Sequence, residues 1–145
     1  MSLCCDYRVM SNSPVRIGLN ETNLGIAAPY WLIDLYIDTI GRRNAELALL
    51  EGSLFSPEDA ERLNLVDQIV DQDEVYPTSL EMATKFGAIP RKGRVATKLM
   101  VRGPAVQKLL DQQEEDVKWF CDFLLEEGTQ KGIKAYLDGL RTKKK

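Results

Sequence analysis

The sequence predicts an α/β chain, a few short strands followed by a mainly helical C-terminal region, and three observations carry that reading. Residues 7–10 (Tyr-Arg-Val-Met) and 15–19 (Val-Arg-Ile-Gly-Leu) are short strand-like runs separated by the turn residues Ser11, Asn12, Ser13 and Pro14. Residues 65–70 (Leu-Val-Asp-Gln-Ile-Val) alternate as a strand does. From Pro29 onward, apolar residues return at three- and four-residue steps in one segment after another. Two leading strands do not make a stable sheet unaided, so the fold is expected to be a truncated form of a larger architecture.

The helices follow in order. Trp31, Leu32, Leu35, Tyr36, Thr39 and Ile40 form the first stripe, and Gly41 stops it. A second helix is expected over 42–50, ending before Gly52. Ser56-Pro57-Glu58-Asp59 offers an N-cap, a proline at the first helical position and acids in the first turn; that helix should end near Asn64. Residues 73–86 read as helix with Pro77 near the start. Residues 91–101 read as a separate helix, broken by Gly103-Pro104. The clearest amphipath comes next, with Val106, Leu109, Leu110, Val117, Phe120, Cys121, Leu124 and Leu125 on one stripe. Gly128 ends it, a last helix covers about 129–140, and Lys143, Lys144 and Lys145 form a solvated tail. The pattern divides at residue 87: strands and helices over 1–87, helices alone over 88–145. No internal repeat is present.

Composition removes whole classes of function. The chain of 145 residues is 44% hydrophobic and 28% charged, which excludes disorder and low complexity. Nineteen basic residues stand against 22 acidic ones, a net charge of −3, so nucleic acid is not the expected partner. No apolar run approaches the roughly 20 residues of a membrane-spanning helix. The first six residues lack both a charged n-region and a long apolar h-region, so no signal segment is expected there. Cys4, Cys5 and Cys121 lack zinc-site spacing and read as buried, reduced thiols. Histidine is absent, which removes His-based triads and His-ligated metals together. Neither a G-x-S-x-G elbow nor a phosphate-cradling glycine loop is present. Acid–base chemistry here falls to a carboxylate, a lysine or a tyrosine.

Glu21 is the carboxylate in the least ordinary setting, a single acid between Ile17-Gly18-Leu19-Asn20 and Thr22-Asn23-Leu24-Gly25-Ile26-Ala27-Ala28. Partial desolvation there would raise its pKa toward the range useful for proton transfer. A loop glutamate that caps a helix or faces water fits the same local sequence. Asn20 has two readings as well, a ligand contact or an asparagine that satisfies its own loop backbone. Asn20-Glu21-Thr22 also matches the glycosylation sequon, taken as accidental without a secretion signal.

Three segments together resemble a known family. Cys5-Asp6-Tyr7-Arg8-Val9-Met10, Ile17 to Ile26 with its Leu19-Asn20-Glu21-Thr22 core, and Ala60-Glu61-Arg62-Leu63-Asn64-Leu65-Val66-Asp67-Gln68-Ile69-Val70 resemble the crotonase (enoyl-CoA hydratase/isomerase) superfamily in order and spacing. The similarity covers essentially the whole chain, and Leu19 to Thr22 with Ala28-Pro29-Tyr30-Trp31 is similar to its isomerase branch. Hydratases of the family carry a glycine-rich stretch where this chain has Pro29-Tyr30-Trp31-Leu32.

The resemblance implies a crotonase-like ββα spiral, of which 1–87 would be the C-terminal part of the core. Residues 88–145 would cover the active site and pack subunits into trimers. The Val106 to Leu125 stripe would suit either role, or ordinary core packing. The implied reaction, in β-oxidation of unsaturated fatty acids, moves a 3-enoyl-CoA double bond to the 2-trans position. Glu21 would act as the single proton shuttle and Asn20 as a substrate contact. No metal or redox cofactor is implied; coenzyme A arrives as part of the acyl-CoA thioester. The family's two oxyanion N–H donors lie upstream of the Cys-Asp-Tyr-Arg motif, so these 145 residues alone are expected to be weak or inactive. The hydratases' second glutamate falls upstream as well. Lys143, Lys144 and Lys145 could approach a CoA phosphate. A mitochondrial matrix location is implied, with its targeting segment upstream. Two alternatives stand beside this: an inactive chain that only assembles with crotonase subunits, and a hydratase relative, which Pro29-Tyr30-Trp31 disfavours.

Overall fold

Each strand pairs with one far away in sequence, and the strands are shorter than the alternating pattern suggests. In the computed structural model, which describes residues 2–142, β1 (Val9–Ser11) lies parallel to β4 (Gln68–Val70) with Met10 opposite Ile69. β2 (Ile17–Gly18) lies antiparallel to β3 (Leu54–Phe55), with Ile17 opposite Phe55. Between and after them run α1 (Tyr30–Ile40), α2 (Arg42–Glu51), α3 (Pro57–Arg62), α4 (Val75–Ala88), α5 (Arg91–Leu125) and α6 (Glu127–Thr142). Contacts group the chain into two units, each discontinuous in sequence. One holds the residues up to Arg16 with Ser56–Gln113; the other holds Ile17–Phe55 and the residues from Glu114 onward. This grouping is distinct from the division of the sequence at residue 87.

In the first unit, Ser56 caps α3 as its sequence predicts: its Oγ accepts from the Asp59 N–H at 3.2 Å, and Pro57 takes the first helical position. The helix stops at Arg62, and Asn64 turns the chain with φ 60°. The expected strand over 65–70 forms only at Gln68–Val70, because the N–H groups of Leu65 and Val66 both donate to the Ala60 carbonyl (2.8 and 3.2 Å). Their side chains are buried instead, so they serve the core and not a ladder. Beside β1 and β4, Arg8 forks onto Asp67, with Nε donating to Oδ2 at 2.9 Å and Nη2 to Oδ1 at 3.2 Å.

The expected break at Gly103-Pro104 does not occur. α5 runs through Pro104 as one 35-residue helix. Proline removes the N–H that would reach the Met100 carbonyl, but Met100 is 78% exposed, so water can take that acceptor. The turn before Pro104 is also fixed from outside the helix. Arg102 and Lys98 both pair with Asp6 (3.0 and 2.8 Å), and Arg102 donates to the carbonyls of Cys4 and Cys5.

In the second unit, Gly41 (φ 81°, ψ 151°) joins α1 to α2, and Tyr36, Ile40, Ala45 and Ala48 are buried. The two alanines let α2 approach closely. α6 meets the 3₁₀ turn Glu21–Leu24 at a pair of glycines, where a Cβ on Gly132 would lie 3.4 Å from the Leu24 carbonyl oxygen.

One of the roles weighed for α5 falls away, and one expectation is corrected. α5 buries none of its residues, so the Val106 to Leu125 stripe is not part of a core among the described residues; Val106 is 51% and Leu125 76% exposed. The thiols of Cys4, Cys5 and Cys121 are free and exposed, not buried. The tail Lys143, Lys144 and Lys145 lies outside the described residues. Among the described residues no helix is long and apolar enough to cross a membrane.

Candidate active site

The loop expected around Glu21 is a 3₁₀ turn, Glu21–Leu24, with Asn20 at its N-cap. Its backbone closes on itself: the Asn23 N–H donates to the Asn20 carbonyl (3.0 Å), Gly25 to Thr22 (3.0 Å) and Ile26 to Glu21 (3.1 Å). Gly25 ends the turn in the left-handed region (φ 75°), a conformation that costs glycine little. Two side chains then pin the turn to the C-terminal end of α2. Thr22 Oγ1 donates to the Leu49 carbonyl at 2.5 Å, and Asn23 Nδ2 donates to the Gly52 carbonyl at 2.8 Å. Gly52 has φ 61°, and a Cβ there would stand 2.5 Å from Asn23 Nδ2. Glycine at 52 thus lets Asn23 reach the backbone and hold Glu21 in place.

Within this frame Glu21 is half-buried, and its Oε2 is fully buried with no hydrogen-bond partner. The Tyr36 hydroxyl, on the core face of α1, is buried and unpartnered as well. Its phenol is pushed up to about 12, first by burial and then by the negative charge of Glu21. Buried polar atoms are nearly always hydrogen-bonded, and an exception calls for an explanation. A carboxylate oxygen held on a braced turn and left without a donor can accept a proton from a bound molecule.

Asn20 is half-buried beside Glu21, and its side chain makes no capping bond to the turn. The two candidate residues therefore share one braced element. Tyr36 was not singled out by the sequence beyond its place in the α1 stripe. The available signal was chemical, since a tyrosine on a buried stripe brings a hydroxyl that needs a partner. At the start of α1, Tyr30 packs on Trp119 with ring centroids 4.9 Å apart, and Trp119 stacks on Phe123 at 5.3 Å. Among the described residues, no group of three or more His, Cys, Asp or Glu residues could hold a metal ion.

The chain is similar to known proteins over its length. The family model for enoyl-CoA hydratase/isomerase matches residues 1–144. Mitochondrial enoyl-CoA delta isomerase 1 of Mus musculus is 44% identical over 145 residues, covering 99% of this chain and 50% of that protein. The Homo sapiens protein of the same name is 41% identical, covering 99% of this chain and 48% of that one. The crystal structure of human mitochondrial delta3-delta2-enoyl-CoA isomerase superposes with a TM-score of 0.93 and 42% identity, over 99% of this chain and 56% of the other. The chain thus spans about half the length of the curated relatives it matches. The α/β, crotonase-like fold expected from the sequence is the fold found. By sequence and by structure, the chain belongs to the enoyl-CoA hydratase/isomerase family, a family of enzymes.

Proposed function

We propose that this chain carries the proton shuttle of a Δ3,Δ2-enoyl-CoA isomerase, with Glu21 as its single base. Glu21 takes a proton from the carbon alpha to the thioester of a 3-enoyl-CoA, leaving a conjugated enolate. It returns the proton two carbons further along, and the double bond settles at the 2-trans position. Asn20 contacts the substrate beside it. The enolate oxygen needs backbone N–H donors, each worth about 10²–10³ in rate. In the family these come from segments upstream of Cys5-Asp6-Tyr7-Arg8, so the 145 residues alone turn over weakly. The reaction needs no metal or redox cofactor, and coenzyme A enters with the substrate. By likeness to its relatives, the chain works in the mitochondrial matrix as a homotrimer.

The observation that supports this reading most directly is the buried, unpartnered Glu21 Oε2 on a turn pinned at Thr22 and Asn23. Joining the chain to the residues that precede the matched region in the mouse relative supplies the missing donors. That chimera is expected to convert a 3-enoyl-CoA to its 2-enoyl isomer. Glu21→Gln in it should lower kcat by at least about 10³ without loss of substrate binding. An unchanged rate in the Glu21→Gln chimera rules out the single-base mechanism.

The apolar side chains that α5 leaves exposed favour a second reading, assembly with crotonase subunits without turnover. It predicts co-purification of the chain with full-length subunits, and no activity from the chimera.

A further inference from the structure

The hydrogen bonds that pin the Glu21 turn come from Thr22 and Asn23, so they fix its backbone and leave Oε2 of the Glu21 carboxylate unheld. A proton shuttle asks for more, because a reacting group has to be held within about 0.5 Å of its productive place by packing and by hydrogen bonds of its own.

Among the described residues, three buried side-chain polar atoms have no hydrogen-bond partner: Glu21 Oε2, Tyr36 Oη and Arg94 Nε. Arg94 belongs to the first unit, whereas Glu21 and Tyr36 share the second. The chemistry of these two is complementary. A carboxylate only accepts hydrogen bonds, and a tyrosine hydroxyl has a proton to donate. Tyr36 is 1% exposed, so its hydroxyl has to be satisfied from within its own unit. Both α1, which carries Tyr36, and the Glu21 turn pack on α2. Burial, and after it the negative charge of Glu21, pushes the phenol up to about 12. The two groups therefore act on each other, and the hydroxyl keeps its proton at neutral pH.

We propose that Tyr36 is the positioning residue of the shuttle: its hydroxyl donates a hydrogen bond to Glu21 Oε2 and fixes the plane of the carboxylate. The proposal rests on the isomerase reading given above and adds to it the group that aims the base. A carboxylate offers about four lone-pair sites, so one bond from Tyr36 leaves others to take the proton of the substrate. Tyr36 acts through Glu21 and touches no substrate itself.

The test reads this bond twice, the first time without any turnover. Tyr36→Phe in the 145-residue chain removes the hydroxyl and keeps the ring. The folded-to-unfolded ratio at neutral pH, from denaturant unfolding followed by tryptophan fluorescence, should fall roughly tenfold, the effect of losing a hydrogen bond to a charged group. A hydroxyl that stays without a partner gives the opposite sign, since its removal relieves a buried polar group. In a Glu21→Leu background, which has no acceptor, the fall should disappear. In the chimera, Tyr36→Phe should lower kcat about tenfold and change KM less than about twofold, because only the aim of the base is lost. The unfolding cycle decides the bond even where the parent chimera is inactive and the isomerase reading falls. The proposal is overturned by a Tyr36→Phe chain as stable as its parent or more so, by an equal loss in the Glu21→Leu background, or by an unchanged kcat in an active chimera.

Discussion

The four-residue turn bearing Glu21 is pinned by side-chain hydrogen bonds to residues 27 and 29 positions further along the chain, whereas the 35 residues of α5 bury no side chain. The turn is short and irregular, and its anchors fix it: Thr22 on the Leu49 carbonyl and Asn23 on the Gly52 carbonyl. α5 is long and regular, and none of its residues is fully buried, although Trp119 packs on Tyr30 and stacks on Phe123. Regular secondary structure and a fixed position are separate properties. The role proposed for Glu21 needs the second, because a displacement of about 1 Å can cost about 10²-fold in rate.

The comparison breaks most sharply at Gly52. Alanine there would place its Cβ 2.5 Å from Asn23 Nδ2 and 3.2 Å from the Asn23 backbone nitrogen, at φ 61°. A left-handed non-glycine costs about 1–2 kcal/mol, and loss of the Asn23 bond adds about 1 kcal/mol. Gly52→Ala should destabilise the second unit by about 2–3 kcal/mol. Both tryptophans, Trp31 and Trp119, belong to that unit, so the midpoint of denaturant unfolding by tryptophan fluorescence reads the loss directly. An unchanged midpoint would show that Asn23 does not brace the turn.

A smaller effect should follow from Tyr36. Its phenol is pushed up to about 12 in the folded chain, against an ordinary value of 10.0. A raised value means that the folded state holds the proton more tightly. The associated stability is complete below pH 10 and is lost as pH rises through about 12. Two units at about 1.4 kcal/mol each set an upper limit near ~2.7 kcal/mol, and about 2 kcal/mol is expected. Fluorescence-monitored unfolding of the chain should therefore lose stability between pH 10 and 12. Tyr36→Phe should flatten that part of the profile; an equally steep fall in the variant would assign the loss to other groups.

What the sequence disclosed divides along the same line. Ser56-Pro57 and the stops at Gly41 and Gly52 were legible because a cap or a left-handed turn is decided within a few residues. Glu21 was legible as an acid among apolar neighbours. Its anchors at Leu49 and Gly52 were not, since nothing local tells Thr22 and Asn23 where their partners lie. β3 is only two residues long and shows no alternation to detect. Pro104 was read as a break because local rules give a mid-helix proline a cost of about 3 kcal/mol. Contacts from Asp6, Cys4 and Cys5, more than 90 positions away, hold the preceding turn in helix regardless. Tyr36 looked like any stripe residue until its hydroxyl was found without a partner.

The smallest effect belongs to the link between Asp6 and α5. A hydrogen bond from Lys98, with the charges of Lys98 and Arg102, holds the Asp6 carboxyl below its ordinary 3.8. A lowered value makes this stability present above pH 3.8 and lost as pH falls through the folded value. The side chains are partly exposed, and a surface pair of this kind is worth about 0.5 kcal/mol. Asp6→Asn should therefore speed amide hydrogen exchange in the turns around Lys98 and Arg102 by about twofold at neutral pH, with no further change on acidification to pH 3. Exchange near Glu21 should not change, because Asp6 lies in the other unit. If the Glu21 turn loosened equally, the two regions would not be held independently, and the contrast between a pinned turn and a lightly tethered helix would fail.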